Sequence, residues 1–132
     1  MDQKLVVRKI FGPISEIFEL PERQLDAFLA LTSSGPAYIA LMVEAMADGA
    51  VAAGLPRYLS SQLAHKTLSG TASLLREKDL HPAELKDMVA SPAGTTISAL
   101  RHLEFAGLRS ALIEAVVLAA QKSRQLAEEV SS

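Results

Sequence analysis

Pro36 to Ala53 reads PAYIALMVEAMADGAVAA, a stretch in which only Glu44 and Asp48 are charged. A helix that is apolar nearly all round belongs at the centre of an assembly, covered on every side. Its length approaches that of a membrane span, which takes ~20 apolar residues. Two carboxylates near the middle are costly in lipid, so the stretch reads as a buried core helix and no membrane partner is expected. Gly49 and the alanines at 45, 47, 50 and 52 leave room for another helix to come close.

On either side, prolines and glycines mark off further helices. Upstream, Pro21 opens a helix carrying Leu25, Phe28 and Leu29, which ends at Thr32-Ser33-Ser34-Gly35-Pro36. Those hydroxyls suit a helix cap; a second anion site is the sharper alternative. Downstream, Gly54 ends the central helix and Pro56 opens the next, with Leu59, Leu63, Lys66-Thr67, Gly70 and Leu74 following a helical stripe to about Lys78. A short helix follows His81-Pro82, another runs from about Thr95 to Phe105, and the last from about Leu108 to Val130. The body of the chain, residues 21–132, therefore reads as all-α.

The first twenty residues are different. Asp2 to Phe11 is patterned as a short amphipathic helix, and Gly12-Pro13 breaks it. Ile14 to Leu20 is rich in β-branched and aromatic residues and reads as one strand. A lone strand leaves its backbone groups unpaired, so this one needs a partner from elsewhere.

The chain has 132 residues, 49% of them hydrophobic and 21% charged, with a formal net charge of −2. That length suits about one domain. The charge offers no basic field for a phosphate backbone, so nucleic acid is not expected as a partner. There is no cysteine. Disulfides, thiolate chemistry and zinc–thiolate sites are excluded, which fits a reducing cytoplasmic location. The N-terminus lacks the continuous apolar run of a secretory signal.

No Gly-x-Gly-x-x-Gly or Walker-type loop occurs, so neither standard dinucleotide or phosphate cradle is present. His65, His81 and His102 show no metal-ligand spacing, and no metal is expected. His65 and His102 read as ordinary helix residues, His81 as a turn or cap residue. Glu44 and Asp48 lie four apart on one helix face and read as partners for Lys or Arg across a helix interface.

One segment has the physics of a binding site: Ser91-Pro92-Ala93-Gly94-Thr95-Thr96. Small residues let a ligand approach the backbone. The segment opens a helix, so N–H groups from Ala93 to Thr96 and the positive end of the helix dipole converge on a prospective carboxylate or phosphate. An ordinary N-cap with a turn is the plainer alternative.

Longer runs carry a family resemblance. PAELKDMVASPAGTTISALRHLE over residues 82–104 resembles the signature of pyrroline-5-carboxylate reductase. LTSSGPAY (31–38), DGAVAAGLP (48–56) and GLRSALIEAV (107–116) resemble segments of the same family's helical C-terminal domain, in the same order. The likeness covers about Val6 to Leu126.

The resemblance implies an enzyme that reduces 1-pyrroline-5-carboxylate to L-proline with NADPH or NADH. It implies an N-terminal Rossmann domain and a C-terminal domain of interleaved helices that forms a homodimer or higher homo-oligomer. Residues 1–20 then look like the last helix and strand of the cofactor domain, and 21–132 like the dimerisation and substrate-loop domain. The chain would be a C-terminal fragment that binds no cofactor and lacks activity by itself. A stand-alone, non-catalytic helical dimerisation module is the other reading.

By the same resemblance, Ser91, Gly94, Thr95 and Thr96 would hold the substrate carboxylate. Thr96 would also act catalytically, its hydroxyl near the imine nitrogen. Asp79 stands where some members have Glu near that nitrogen. Ala93 stands where many have Gly, and its methyl conflicts with the loop if that position needs a positive φ.

Overall fold

The computed structural model describes residues 3–130. Seven α-helices and one 3-10 turn follow in order: α1 (Gln3–Phe11), the turn Glu22–Gln24, α2 (Leu25–Thr32), α3 (Gly35–Ala52), α4 (Arg57–Glu77), α5 (Pro82–Val89), α6 (Thr95–Phe105) and α7 (Leu108–Val130). Among the described residues there is no strand.

The expected strand at Ile14–Leu20 is therefore corrected. After a turn closed by the Ile14 N–H on the Phe11 carbonyl at 3.0 Å, the segment is irregular, unpaired chain. The strand-like composition is real, but pleated structure needs a neighbouring strand to take its N–H and C=O groups, and the described residues supply none. Side chains hold this region instead. Glu19 accepts from Lys4 Nζ at 3.0 Å and from Arg8 Nη2 at 2.6 Å, which ties the segment back to α1. The Arg8 bond, then that of Lys4, holds the Glu19 carboxyl below its usual range. Phe18 meets Phe28 of α2 with ring centroids 6.2 Å apart. The helix expected from Asp2 begins, within the described residues, at Gln3.

Helix ends follow local chemistry. Gly54 (φ 107) leaves α3 in a left-handed cap, with Gly54 N–H on Val51 O and Leu55 N–H on Ala50 O, satisfying two orphan carbonyls. Asp79 (φ 49) ends α4 the same way, with Asp79 N–H on Arg76 O and Leu80 N–H on Leu75 O. The capping hydroxyls expected at Thr32–Ser34 do not cap. Ser33 and Ser34 keep right-handed helical dihedrals, and no side-chain cap bond forms at Ser34. An N-cap needs extended backbone at the cap residue, which this nearly continuous α2–α3 junction never adopts. Thr32 Oγ1 donates back to the Phe28 carbonyl instead, at 2.8 Å.

The central helix α3 lies against α4, and α2 lies against α7. Where α3 meets α4 the residues are small: Val43 and Ala47 are buried against Ala64, with Leu68 beside them. Ser60 is buried too, its hydroxyl donating to the Pro56 carbonyl at 3.0 Å. Tyr38 of α3 reaches α7, its hydroxyl donating to the Ala115 carbonyl at 3.3 Å, and Ser123 of α7 donates to Asp26 of α2 at 2.8 Å.

This core is small. Its buried apolar side chains are Ala30, Val43, Ala47 and Ala64; among the described residues no Leu, Ile or Phe is buried. The accessible surface is 10724 Å². A compact monomer of this mass exposes about 6,700 Å². Apolar side chains on every long helix are left facing outward, including Leu41 and Met46 of α3, Leu63 and Leu74 of α4, and Ile113 and Leu118 of α7.

Candidate functional site

The turn Ser91–Gly94 leads from α5 into α6. Gly94 N–H donates to the Ser91 carbonyl at 3.1 Å and closes it. Inside the turn Ala93 takes φ 57, the left-handed region, so the positive φ at which its methyl conflicts is real. A side chain at Gly94 would collide with Ser91 Oγ and lie 3.1 Å from the Ser91 carbonyl oxygen. Glycine here is demanded by close approach, its own φ of −81 being ordinary.

The turn delivers the chain to α6 with no side-chain cap bond at Gly94. The first N–H groups of a helix have no acceptor inside it. Those of Thr95 and Thr96 find none elsewhere among the described residues. Two adjacent donors without an acceptor lie at the positive end of α6, an arrangement that can take a carboxylate. Gly94 was expected to be a third donor; its N–H is spent on the turn, so its part is to shape the loop. Ser91 stands over that turn, its side chain exposed.

Thr96 is half-buried and lines a groove of ≈ 750 Å³ between α4, α5 and α6. Thr67, Gly70, Leu74, Leu85 and Val89 also line it. Thr67 and its neighbour Lys66 were legible only as parts of a helical stripe, because they share that groove with Thr96 through tertiary structure. Asp79 ends α4 as its left-handed cap, a structural job that accounts for its presence without any chemistry.

The remaining candidates fall elsewhere. His65 and His102 are exposed helix residues on α4 and α6. His81 caps α5: its Nδ1 accepts from Ala83 N–H at 3.2 Å, and its own N–H donates to Glu84 Oε2 at 3.0 Å. Asp48 accepts from Arg57 Nη1 at 2.5 Å, the inter-helix ion pair its spacing suggested, and Glu44 lines the same α3–α4 groove with His65.

A family profile described as "Pyrroline-5-carboxylate reductase dimerisation" matches residues 22–126. The chain is 48% identical to the pyrroline-5-carboxylate reductase of Synechocystis sp., over 97% of this chain and 48% of that relative. It superposes on the crystal structure of 1-pyrroline-5-carboxylate reductase from Streptococcus pyogenes with a TM-score of 0.88 at 32% identity, covering 95% of this chain and 49% of that one. For Plasmodium falciparum pyrroline carboxylate reductase, solved with NADP bound, the TM-score is 0.86 at 34% identity, over 92% and 49%. The chain spans about half the length of the relatives it matches. On the profile, the identity and the superposition together, the chain belongs to the pyrroline-5-carboxylate reductase dimerisation family.

Proposed function

We propose that this chain is the dimerisation and substrate-loop half of an enzyme that reduces 1-pyrroline-5-carboxylate to L-proline with NADPH or NADH, in the cytoplasm. The observation that carries the reading is the start of α6, where the N–H groups of Thr95 and Thr96 stand unpaired beside the Thr96 side chain. The substrate is a small ring bearing one carboxylate. Two charge-assisted hydrogen bonds at a helix N-terminus anchor that carboxylate and so fix where the imine carbon sits. On this reading the Thr96 hydroxyl hydrogen-bonds the ring nitrogen. The described residues do not fit a dinucleotide: no strand leads through a glycine-rich turn into a helix. We assign residues 1–20 to the tail of the cofactor domain and 21–132 to the dimerisation domain.

The partner is a second copy of the chain. The surplus exposed surface and the near absence of buried large side chains call for cover. Gly70 supports this independently. Glycine inside a helix costs ~1 kcal/mol against alanine. A Cβ there would meet nothing within 4 Å in this chain, so packing among the described residues does not require a glycine. The helical stretch Glu22–Ala52 is long and apolar enough to cross a membrane by length and composition. We assign its cover to the second copy, because Glu44 and Asp48 put two carboxylates within the stretch, which lipid disfavours. The net charge argues against nucleic acid.

The test is a calorimetric titration of the chain with L-proline, parent against Thr96→Ala. The variant keeps the backbone donors and loses the hydroxyl, so binding is expected to weaken about tenfold, the worth of one hydrogen bond to a charged ligand. Equal affinity in the two proteins would remove the role given to Thr96.

A further inference from the structure

We propose that His81 is a positioning residue that makes the geometry of the Ser91–Thr96 loop depend on pH. The proposal takes its functional meaning from the reading of that loop as the carboxylate site, while the coupling stands on the geometry of α5.

Most N-caps are hydroxyls or carboxylates, whose oxygens still accept near neutral pH. At α5 the acceptor is an imidazole nitrogen, His81 Nδ1, holding Ala83 N–H at 3.2 Å. Only the neutral ring has that lone pair; the protonated ring carries N–H on both nitrogens and cannot accept. Protonation therefore turns the cap into a donor facing a donor, and puts positive charge at the positive end of the helix. Glu84, whose carboxylate accepts the His81 backbone N–H, is among the described residues the one charged side chain bonded to the cap. It cannot restore the lost acceptor. Lys78 and Asp79 precede the cap in the turn from α4. From α6 and α7, Glu104 and Arg109 reach α5 at Lys86, a turn beyond the cap, where Lys86 acts on Glu104.

Helix α5 is poorly placed to survive that loss. It has 8 residues, too few to be stable alone. It does not share in the main helix–helix contacts of the chain. Its flanks are Asp79 (φ 49) and Ala93 (φ 57), two left-handed non-glycine residues that cost ~1 kcal/mol or more each and give it no firm anchor. Its last turn runs through Ala90 straight into Ser91, so fraying of α5 moves the Ser91–Gly94 turn that aims Thr95 and Thr96.

The experiment is an NMR pH titration of the isotope-labelled 132-residue chain between about pH 8 and 5.5, which spans ordinary histidine titration. The Ala83 amide, the α5 carbonyls and the Thr95 and Thr96 amides are expected to follow one curve with the His81 ring. Exchange protection in α5 should fall about fivefold, the effect of losing one N-cap. His81→Asn caps without titrating and should hold the pH 8 spectrum of these residues throughout, whereas His81→Ala should show the acid form at pH 8. The proposal is overturned if the Ala83 amide ignores pH, if His81→Asn keeps the transition, or if α5 changes while Thr95 and Thr96 do not. Should His81→Ala not fold, parent and His81→Asn decide alone. No ligand is present, so this outcome is independent of the proline titration.

Discussion

Gly94 and Ser91 are in backbone contact across the turn that precedes α6: the Gly94 N–H donates to the Ser91 carbonyl at 3.1 Å, and no side chain fits between them. The hydroxyl of Ser91 can swing away from an added methyl; its carbonyl is held by the turn. Gly94→Ala is therefore expected to push the turn open and misdirect the two free N–H groups that follow. Overpacking of this kind costs ~1–3 kcal/mol. L-proline binding should weaken at least about tenfold, read by calorimetry, while circular dichroism stays helical. Unchanged affinity would show that the turn does not set the site.

Thr95 is the first residue of α6, the position where proline is best tolerated, and Gly94 before it is already extended (φ −81, ψ 177), as a following proline requires. Thr95→Pro removes one anion donor without breaking the helix. We expect thermal stability within about 0.5 kcal/mol of the parent, with carboxylate binding about tenfold weaker or worse. Retained binding would put the anion elsewhere.

Ala93 sits at φ 57. Relief of that strain is worth ~1–2 kcal/mol, and the greater freedom of glycine in the unfolded chain returns ~0.4–1 of it. Ala93→Gly should therefore stabilise the fold by roughly 0.5–1 kcal/mol in urea denaturation. A destabilised variant would mean that the loop does not hold the left-handed form in solution.

At the α6–α7 elbow, Arg109 Nη2 donates to Glu104 Oε1 at 2.5 Å and Arg109 Nε to Oε2 at 3.3 Å. That bonding holds the Glu104 carboxyl below its usual 4.5, with the charges of Arg109 and Lys86 adding to it. A carboxyl depressed on folding contributes stability above its unfolded value, and the contribution is lost as pH falls through the folded one. Glu104→Gln should thus be less stable than the parent at pH 7, with the gap closing as pH falls below 4.5. Chemical denaturation at several pH values reads this; a gap that persists in acid would deny the pair its electrostatic role.

The helical architecture was open to reading because its punctuation is local. Gly54 and Pro56 act through their own backbone dihedrals, and each boundary they mark falls within a residue or two of where they predict it. Ile14–Leu20 was misread because strand formation is a property of pairs: Ile14, Ile17 and Phe18 suit a sheet, but these residues meet no strand. Ser33 and Ser34 misled for the opposite reason, since their capping chemistry is idle where the backbone never leaves the helical region. The turn that opens α6 was visible as Ser91–Thr96, yet the engagement of the Gly94 N–H was not, because it depends on how tightly the turn closes. Thr67 and Gly70 share a groove with Thr96 only through tertiary structure, which no spacing along the chain encodes.

The dimerisation assigned to this chain rests on a second copy covering α3, α4 and α7. Light scattering coupled to size exclusion, at micromolar concentration, tests it most directly, with Gly70→Leu alongside as a probe of the helix face left open. The account predicts twice the 14.1 kDa chain mass, or a larger even multiple, for the parent. For Gly70→Leu it predicts a dissociation constant raised about 10–100-fold by overpacking at the seam. A folded parent running at 14.1 kDa would contradict the account.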